Sequence, residues 1–341
     1  MNPSTPSPGP LSSREIGFHL LGLALFIALL ALWFWFSTGA RAVPRLIALL
    51  KEADASSRII AAEQLGHIGS PAVAASPALI EQATNDPSQH ANTTAAAALK
   101  SIDLLAARQV IDHYLPLLKD RNAQLRRTAC AVLGSLGPVA KPAVPALVDL
   151  AKDPDELVRR NALTALAGIG LPSAIVTEAL IAGLHDSESF VRHAAVAQFA
   201  FGYPLAPEAD AALRALASDP DGTIAALAKT ALERHIRNGP SEVQALTMLV
   251  REPMRRDYAL FQLARLGPAA GAAMPAILGI LHDERPLHRY LAAEALAAIG
   301  LGGTEVLSAL QQARNDPDPI VEQSVEEAIS LLSERGRKAP P

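Results

Sequence analysis

From residue 43 onward, short apolar stretches alternate with polar breaks at a nearly fixed interval. The stretch DPDELVRRNALTALAGIG (153–170) returns with little change as DERPLHRYLAAEALAAIG (283–300). With the leading acid as position zero, the phrase recurs nine times, at Glu52, Asp86, Asp120, Asp153, Asp186, Asp219, Val250, Asp283 and Asp316. The steps are 31 to 34 residues. Position nine is alanine, as in Ala129 and Ala162, in every unit but the last, which has Val325. Position thirteen is always large and apolar, and position seventeen is glycine at Gly69, Gly137, Gly170, Gly267 and Gly300. Offsets nine, thirteen and sixteen lie on one face of an α-helix. Alanine there lets a neighbouring helix come close, the large residue fills the space between layers, and glycine suits a left-handed helix end.

Before each acid lies a second, shorter apolar segment, such as AVPALVDLAK (143–152), with Pro145 suited to its first turn. Each unit is therefore a helical hairpin of about 33 residues that cannot bury its own apolar face, and stacking supplies the missing partner. The predicted fold is all-α, an α-solenoid of about nine hairpins over residues 43–335. At ~9 Å per layer the stack would be ~80 Å long.

The N-terminal segment follows other rules. Residues 1–15 are rich in Pro and Ser and read as a disordered tail. Residues 16–36, IGFHLLGLALFIALLALWFWF, carry no formal charge and span ~31 Å as a helix, about one bilayer core. Trp33 and Trp35, the only tryptophans, sit at one end, where indoles settle in a membrane interface. A cleaved signal peptide is the competing reading, since Ala40-Arg41-Ala42 offers a small-x-small site. The long apolar run and a polar leader with Arg14 as its only basic residue favour a transmembrane helix. A linker at 37–42 would hold the solenoid within ~20 Å of the bilayer. The expected location is thus a membrane, single-pass, and a bacterial inner membrane on the resemblance given below. Arg41, Arg45 and Lys51 after the span tilt the solenoid to the cytoplasmic side. Short-tailed N-terminal anchors often point the other way, so the side stays open. Residues 336–341 read as a disordered C-terminal tail.

Composition narrows the chemistry. Half of the residues are apolar but only 4% are aromatic, which suits thin helical layers. Net charge is −4, with +1 in residues 1–42 and −5 in the rest, so nothing forms the basic footprint of a nucleic-acid binder. The one cysteine, Cys130, excludes an internal disulfide and reads as a small core residue. No phosphate-binding glycine loop, Cys-His cluster or hydrolase serine motif is present.

An arginine follows the acid by six residues in most units. Asp120 with Arg126, Asp153 with Arg159, Asp186 with Arg192, and Asp283 with Arg289 recur too often to form one active site. They read as a structural ladder, with Asp capping the second helix and Arg bridging to a neighbouring loop. The departures are Asn92 for Arg and Asp103 for Gly in unit two, Phe199, Phe201 and Tyr203 in unit five, and Ala225 for Arg in unit six. Glu322, Glu326 and Glu327 give the last unit the polar face of a terminal cap.

The Asp at zero, the Val-Arg pair in LVRRNA and FVRHAA, and the closing AL.AIG resemble HEAT repeats, in particular the short alanine-rich repeats of bacterial proteins. The resemblance implies a scaffold or adaptor that binds protein partners, with no cofactor, no metal and no catalysis. Two enzyme families built on such repeats supply the alternative. Deoxyhypusine hydroxylase binds two irons with paired His-Glu dipeptides, and this chain contains no His-Glu dipeptide. The other family is the bilin lyases. Position seven projects outward from the second helices in this reading, and Arg127, Arg160 and His193 would line up as a basic stripe, with Tyr290 in the same row. Such a stripe suits an acidic or phosphorylated protein segment.

Overall fold

The computed structural model describes residues 39, 41–170, 173–201, 207–237, 240–253, 255–301 and 303–338. The expected tail at 1–15 and membrane span at 16–36 lie outside these residues. All regular elements among the described residues are helical. They begin with α1 over residues 41–49, α2 Ala55–Ile68, α3 Ser76–Asn85, α4 Gln89–Ile102, α5 Leu104–Tyr114 and α6 Ala123–Ser135. Next come α7 Val144–Leu150, α8 Glu156–Ile169, α9 Ala174–Leu184, α10 Ser189–Ala200, α11 Pro207–Leu216 and α12 Gly222–Arg237. The series ends with α13 Pro240–Leu249, α14 Arg256–Leu266, α15 Met274–Leu278, α16 Pro286–Ile299, α17 Thr304–Gln312 and α18 Pro319–Lys338. Odd and even helices pair as successive hairpins, and each even helix is the second helix of its unit. Two boundaries differ from expectation. Helix α1 already includes residue 41, inside the expected linker, and α18 runs to Lys338, past residue 335. Arg335 ties that last turn down by donating to the Ala297 carbonyl at 3.1 Å.

The even helices stack side by side: α2 on α4, α4 on α6, α6 on α8, α8 on α10, α10 on α12, α14 on α16 and α16 on α18. The alanines at position nine are fully buried at these contacts, with Leu65, Leu99, Leu133 and Leu166 between layers. At the α6–α8 contact a Cβ on Gly134 would lie 2.8 Å from the Ala165 Cα, and one on Gly168 would lie 2.7 Å from the Gly134 carbonyl. Only glycine permits that approach. Every residue with positive φ among those described is a position-seventeen glycine. Where unit two has Asp103 instead, the backbone is extended and the carboxylate caps α5 by accepting from the Ala106 N–H.

Residues 256–282 are long and apolar enough by composition to cross a membrane. They consist of α14 and α15 with a 3-10 turn after each, and Gly267 breaks the path at φ 56°. Leu260, Leu263, Ala270 and Ile277 are fully buried, so the apolar content of this stretch serves the solenoid core.

The recurring acid and arginine join consecutive units. Arg126 donates from Nε and Nη2 to Asp153 of the next unit, both at 2.8 Å, and from Nη1 to its own Asp120 carbonyl at 2.9 Å. Both side chains are largely buried, 12% and 6% exposed. The same fork links Arg58 to Asp86, Arg159 to Asp186, Arg192 to Asp219 and Arg289 to Asp316, and Arg256 pairs with Asp283. The acid is not the helix cap, as the sequence had suggested. Its carboxylate instead accepts the N–H two residues on, as in Asp153 to Asp155, and the cap is that next residue: Asp54, Ser88, Asn122 or Asp155. The helix begins three residues after the acid, so the residue two on stands at the cap; Asp120, which receives no fork, likewise leaves the capping of α6 to Asn122.

The ladder is interrupted twice. Asn92 is too short to reach Asp120, and its amide donates to the buried Tyr114 hydroxyl at 3.2 Å. Between units six and seven both partners are missing, with Ala225 in place of the arginine and Val250 in place of the acid. Among the described residues α12 and α14 do not stack as the other successive even helices do. This joint divides the solenoid into an N-terminal arm, α1 to α12, and a C-terminal arm, α13 to α18. The C-terminal arm turns back on the N-terminal arm, so the chain is not the extended ~80 Å stack that nine uniform layers would give.

Replacing Arg159 with Ala should destabilise the fold by about 1–3 kcal/mol, because it strips Asp186 of a charge-assisted fork. Arg160→Ala should leave the melting temperature nearly unchanged, since Arg160 is exposed and bonds only to Asn161 next to it. Equal shifts in thermal unfolding would refute the ladder's role.

The ladder should also set the acid limit of stability. Burial opposes ionisation of Asp86 and Asp186, but the arginine forks and turn N–H groups outweigh it and hold both carboxyls below their ordinary range. The Arg192 fork, then the Asp221 N–H, does the same for Asp219. A carboxyl titrating lower when folded stabilises fully above its unfolded value, about 3.9. That stability is lost as pH falls through the lower folded values. Melting temperature should therefore be flat from pH 7 to about 5 and drop steeply below about 4. The drop should be shallower in Arg159→Ala.

Candidate functional site

The two arms meet where the second helices of units seven to nine cross the ends of those of units one to five. Tyr290 of α16 is 4% exposed and donates its hydroxyl to the Pro138 carbonyl at 2.8 Å, after α6. Lys141, in the same turn, reaches Glu327 of α18 at 2.9 Å and Glu294 of α16 at 3.4 Å. Ser324 donates to Glu294 at 3.1 Å. Arg265 of α14 donates to the Gln198 carbonyl at 3.4 Å, and a Cβ on Gly170 would run into the Phe261 ring. Burial raises the Glu294 carboxyl above its ordinary range, with Lys141 and Ser324 acting against it. Burial would lower the Lys141 ammonium, but the two glutamates outweigh it and raise it. Glu327, expected on the surface of a terminal cap, is half-buried in this clasp, whereas Glu326 pairs with Arg314 on the outside.

The expected stripe comes apart. Arg160 and His193 are exposed. Arg127 is engaged by Asp155, the cap of the next helix, with Nε to Oδ1 at 2.9 Å. Tyr290 is buried in the clasp and unavailable to a partner, because the solenoid curls until position seven of unit eight faces the N-terminal arm. Cys130 is fully buried, and burial pushes its thiol up to about 12, which fits a core residue and not a nucleophile.

Next to the clasp the arms line a solvent-open channel of about 520 Å³. One wall carries Lys100, Gly134, Ser135, Pro138, Thr164 and Gly168, and the other Asp257, Tyr258, Phe261, Leu287 and Leu291. Lys100 donates to the Ser135 carbonyl at 3.1 Å. Burial lowers the Lys100 ammonium pKa, and the Asp257 charge opposes this in part. His288, 1% exposed, lies between two carboxylates, with Nδ1 2.7 Å from Asp283 and Nε2 2.6 Å from Asp257. Burial opposes ionisation of Asp257, but His288, Arg285 and Lys100 hold its carboxyl below the usual range. Among the described residues no group of three or more His, Cys, Asp or Glu is arranged to hold a metal.

An all-helical stack of hairpins, ion-paired from unit to unit, is an α-solenoid repeat protein. Residues 111–200 and 251–330 match the family model of HEAT repeats, and the chain is a HEAT-repeat protein. Deoxyhypusine hydroxylase-B of Oryza sativa subsp. japonica is 36% identical over 106 residues, 30% of this chain. The chain spans about a third of that relative's length, 34%. Among solved structures, an engineered protein is 20% identical with a TM-score of 0.36, covering 85% of this chain and 88% of that one. A designed armadillo repeat protein in complex with the peptide (KR)4 is 20% identical with a TM-score of 0.39, over 57% of this chain and 99% of that one. The complex of CpcE and CpcF of phycocyanin lyase from Nostoc sp. PCC7120 is 24% identical with a TM-score of 0.35, over 46% and 98%.

Sequence reasoning missed Lys100, Lys141, Glu294 and His288. One signal was present: Glu294 and Glu327 both stand at position eleven, where units two to five carry Ala or Thr. The signal is partial, because unit one carries Glu63 at the same position and that side chain is exposed.

Tyr290→Phe removes the hydroxyl from the Pro138 carbonyl and should cost about 1 kcal/mol. The loss should show as faster hydrogen exchange in the 138–143 turn and in α16, with α2 and α4 unchanged. Uniform exchange across the chain would argue against a clasp.

Proposed function

We propose that this chain is a membrane-anchored HEAT-repeat scaffold that docks a protein partner, an acidic or phosphorylated segment, and carries out no catalysis. The observation behind this reading is the exposure of Arg160 and His193 at equivalent positions of adjacent units. The other recurring arginines are spent on the ladder, and Arg127 on Asp155. Two basic side chains, one per layer, match the spacing at which an extended acidic segment presents its charges. The anchor is residues 16–36, from their uncharged 21-residue length and terminal tryptophans.

The test is affinity capture from membranes washed in high salt, comparing the full chain with the double variant Arg160→Glu, His193→Glu. The variant should keep its helicity and melting temperature and lose capture of a partner whose binding segment is acidic or phosphorylated. Undiminished capture would move the docking surface elsewhere. Release of the chain by high salt, or a mature N-terminus at Val43, would remove the anchor.

The 36% identity to deoxyhypusine hydroxylase-B favours a second reading, a metal-dependent enzyme. The chain lacks that family's His-Glu dipeptides. Near-stoichiometric iron in the purified protein would overturn the scaffold reading.

A further inference from the structure

We propose that the channel between the arms is a binding site for a small organic anion, a carboxylate on an apolar body. Its volume, about 520 Å³, falls within the range of small-molecule sites. Lys100 supplies the charge. Its ammonium has three donors, and among the described residues its hydrogen-bond acceptor is the Ser135 carbonyl. A partly buried cation with donors to spare is under-solvated, and a carboxylate would meet both its charge and its hydrogen-bonding capacity. Asp257 does not do this job by contact, since among the described residues no hydrogen bond or ion pair joins it to Lys100. Apart from Gln198 the rest of the lining is largely apolar or small, with Phe261, Leu287, Leu291 and Pro138 beside the glycines Gly134 and Gly168. Phe261, Leu287 and Leu291 offer an apolar surface to a hydrocarbon or aromatic body. Tyr258, 58% exposed, stands at the edge with its ring available to such a body.

The ligand would touch Lys100 in unit two and Phe261, Leu287 and Leu291 in units seven and eight. It would therefore bridge the arms across the joint that lacks a ladder rung. Anything that binds only the closed form stabilises it by mass action. Occupancy of the channel would hold the C-terminal arm against the N-terminal arm.

The probes are 4-phenylbutyrate and its neutral counterpart 4-phenylbutanol, titrated by calorimetry into the full chain held in nanodiscs, with empty nanodiscs as control. The acid should bind saturably and raise the melting temperature. The alcohol should bind about tenfold or more weakly, the loss expected for a charge-assisted hydrogen bond. Lys100→Met should reduce the affinity for the acid to that of the alcohol. Thr164→Trp, placed at an exposed position of the channel wall, should abolish binding of both without touching Lys100. If the Lys100 variant does not fold, the acid-to-alcohol comparison on the unaltered protein and the Thr164 variant decide the matter. Equal affinity for acid and alcohol, no binding of the acid, or binding unchanged in either folded variant would overturn the assignment.

Discussion

The structure depends on one ion pair used repeatedly. The arginine at position six of one unit forks onto the carboxylate that opens the next and ties down its own loop with the remaining nitrogen. Alanine and leucine faces hold the layers together without specifying how far one may slide or rotate on the next, because small apolar surfaces fit in several registers. A planar fork meeting a carboxylate edge-on fits in one. The carboxylate is itself fixed by the turn N–H two residues on, so each rung sets the orientation of a loop as well as the spacing of two helices.

The joint between units six and seven shows what happens without a rung. Because Arg of one unit serves Asp of the next, losing Ala225's arginine and Val250's acid removes a single link and leaves no orphaned charge. The chain bends there, and the C-terminal arm reaches back to the N-terminal one. Closure buries Glu294, Tyr290 and His288, groups that are expensive to take out of water alone. Each has a partner: Lys141 and Ser324 for Glu294, the Pro138 carbonyl for Tyr290, the Asp283 carboxylate for His288. The channel beside the clasp follows from the same bend, which sets α14 and α16 opposite the ends of α4, α6 and α8.

The repeat class rests on the ladder residues, whereas the functional candidates lie off it. Arg160 and His193 remain outside, and Lys100 remains inside with hydrogen-bonding capacity to spare. An interaction surface and a solvent-open channel can coexist on such a chain because a solenoid has two faces and this one folds over part of its inner face.

The sequence by itself determined everything that acts over one unit or between neighbours. The 33-residue period, the alanine and leucine faces, the position-seventeen glycines and the recurrence of Asp and Arg are local patterns, and helix geometry converts them directly into hairpins and stacking. Even the missing rung could be read from Ala225 and Val250. Which atom of the acid meets which partner was decided by three dimensions: the carboxylate takes the turn N–H and the fork, and the helix starts late enough for the residue two on to be its cap. Only the tertiary structure set the path of the whole chain. Small rotations per layer accumulate over nine units, and no local pattern encodes their sum. Hence Tyr290, equivalent to Arg160 in its own helix, is buried against Pro138 while Arg160 faces water. Lys100 and Phe261, 161 residues apart in the chain, line one channel for the same reason.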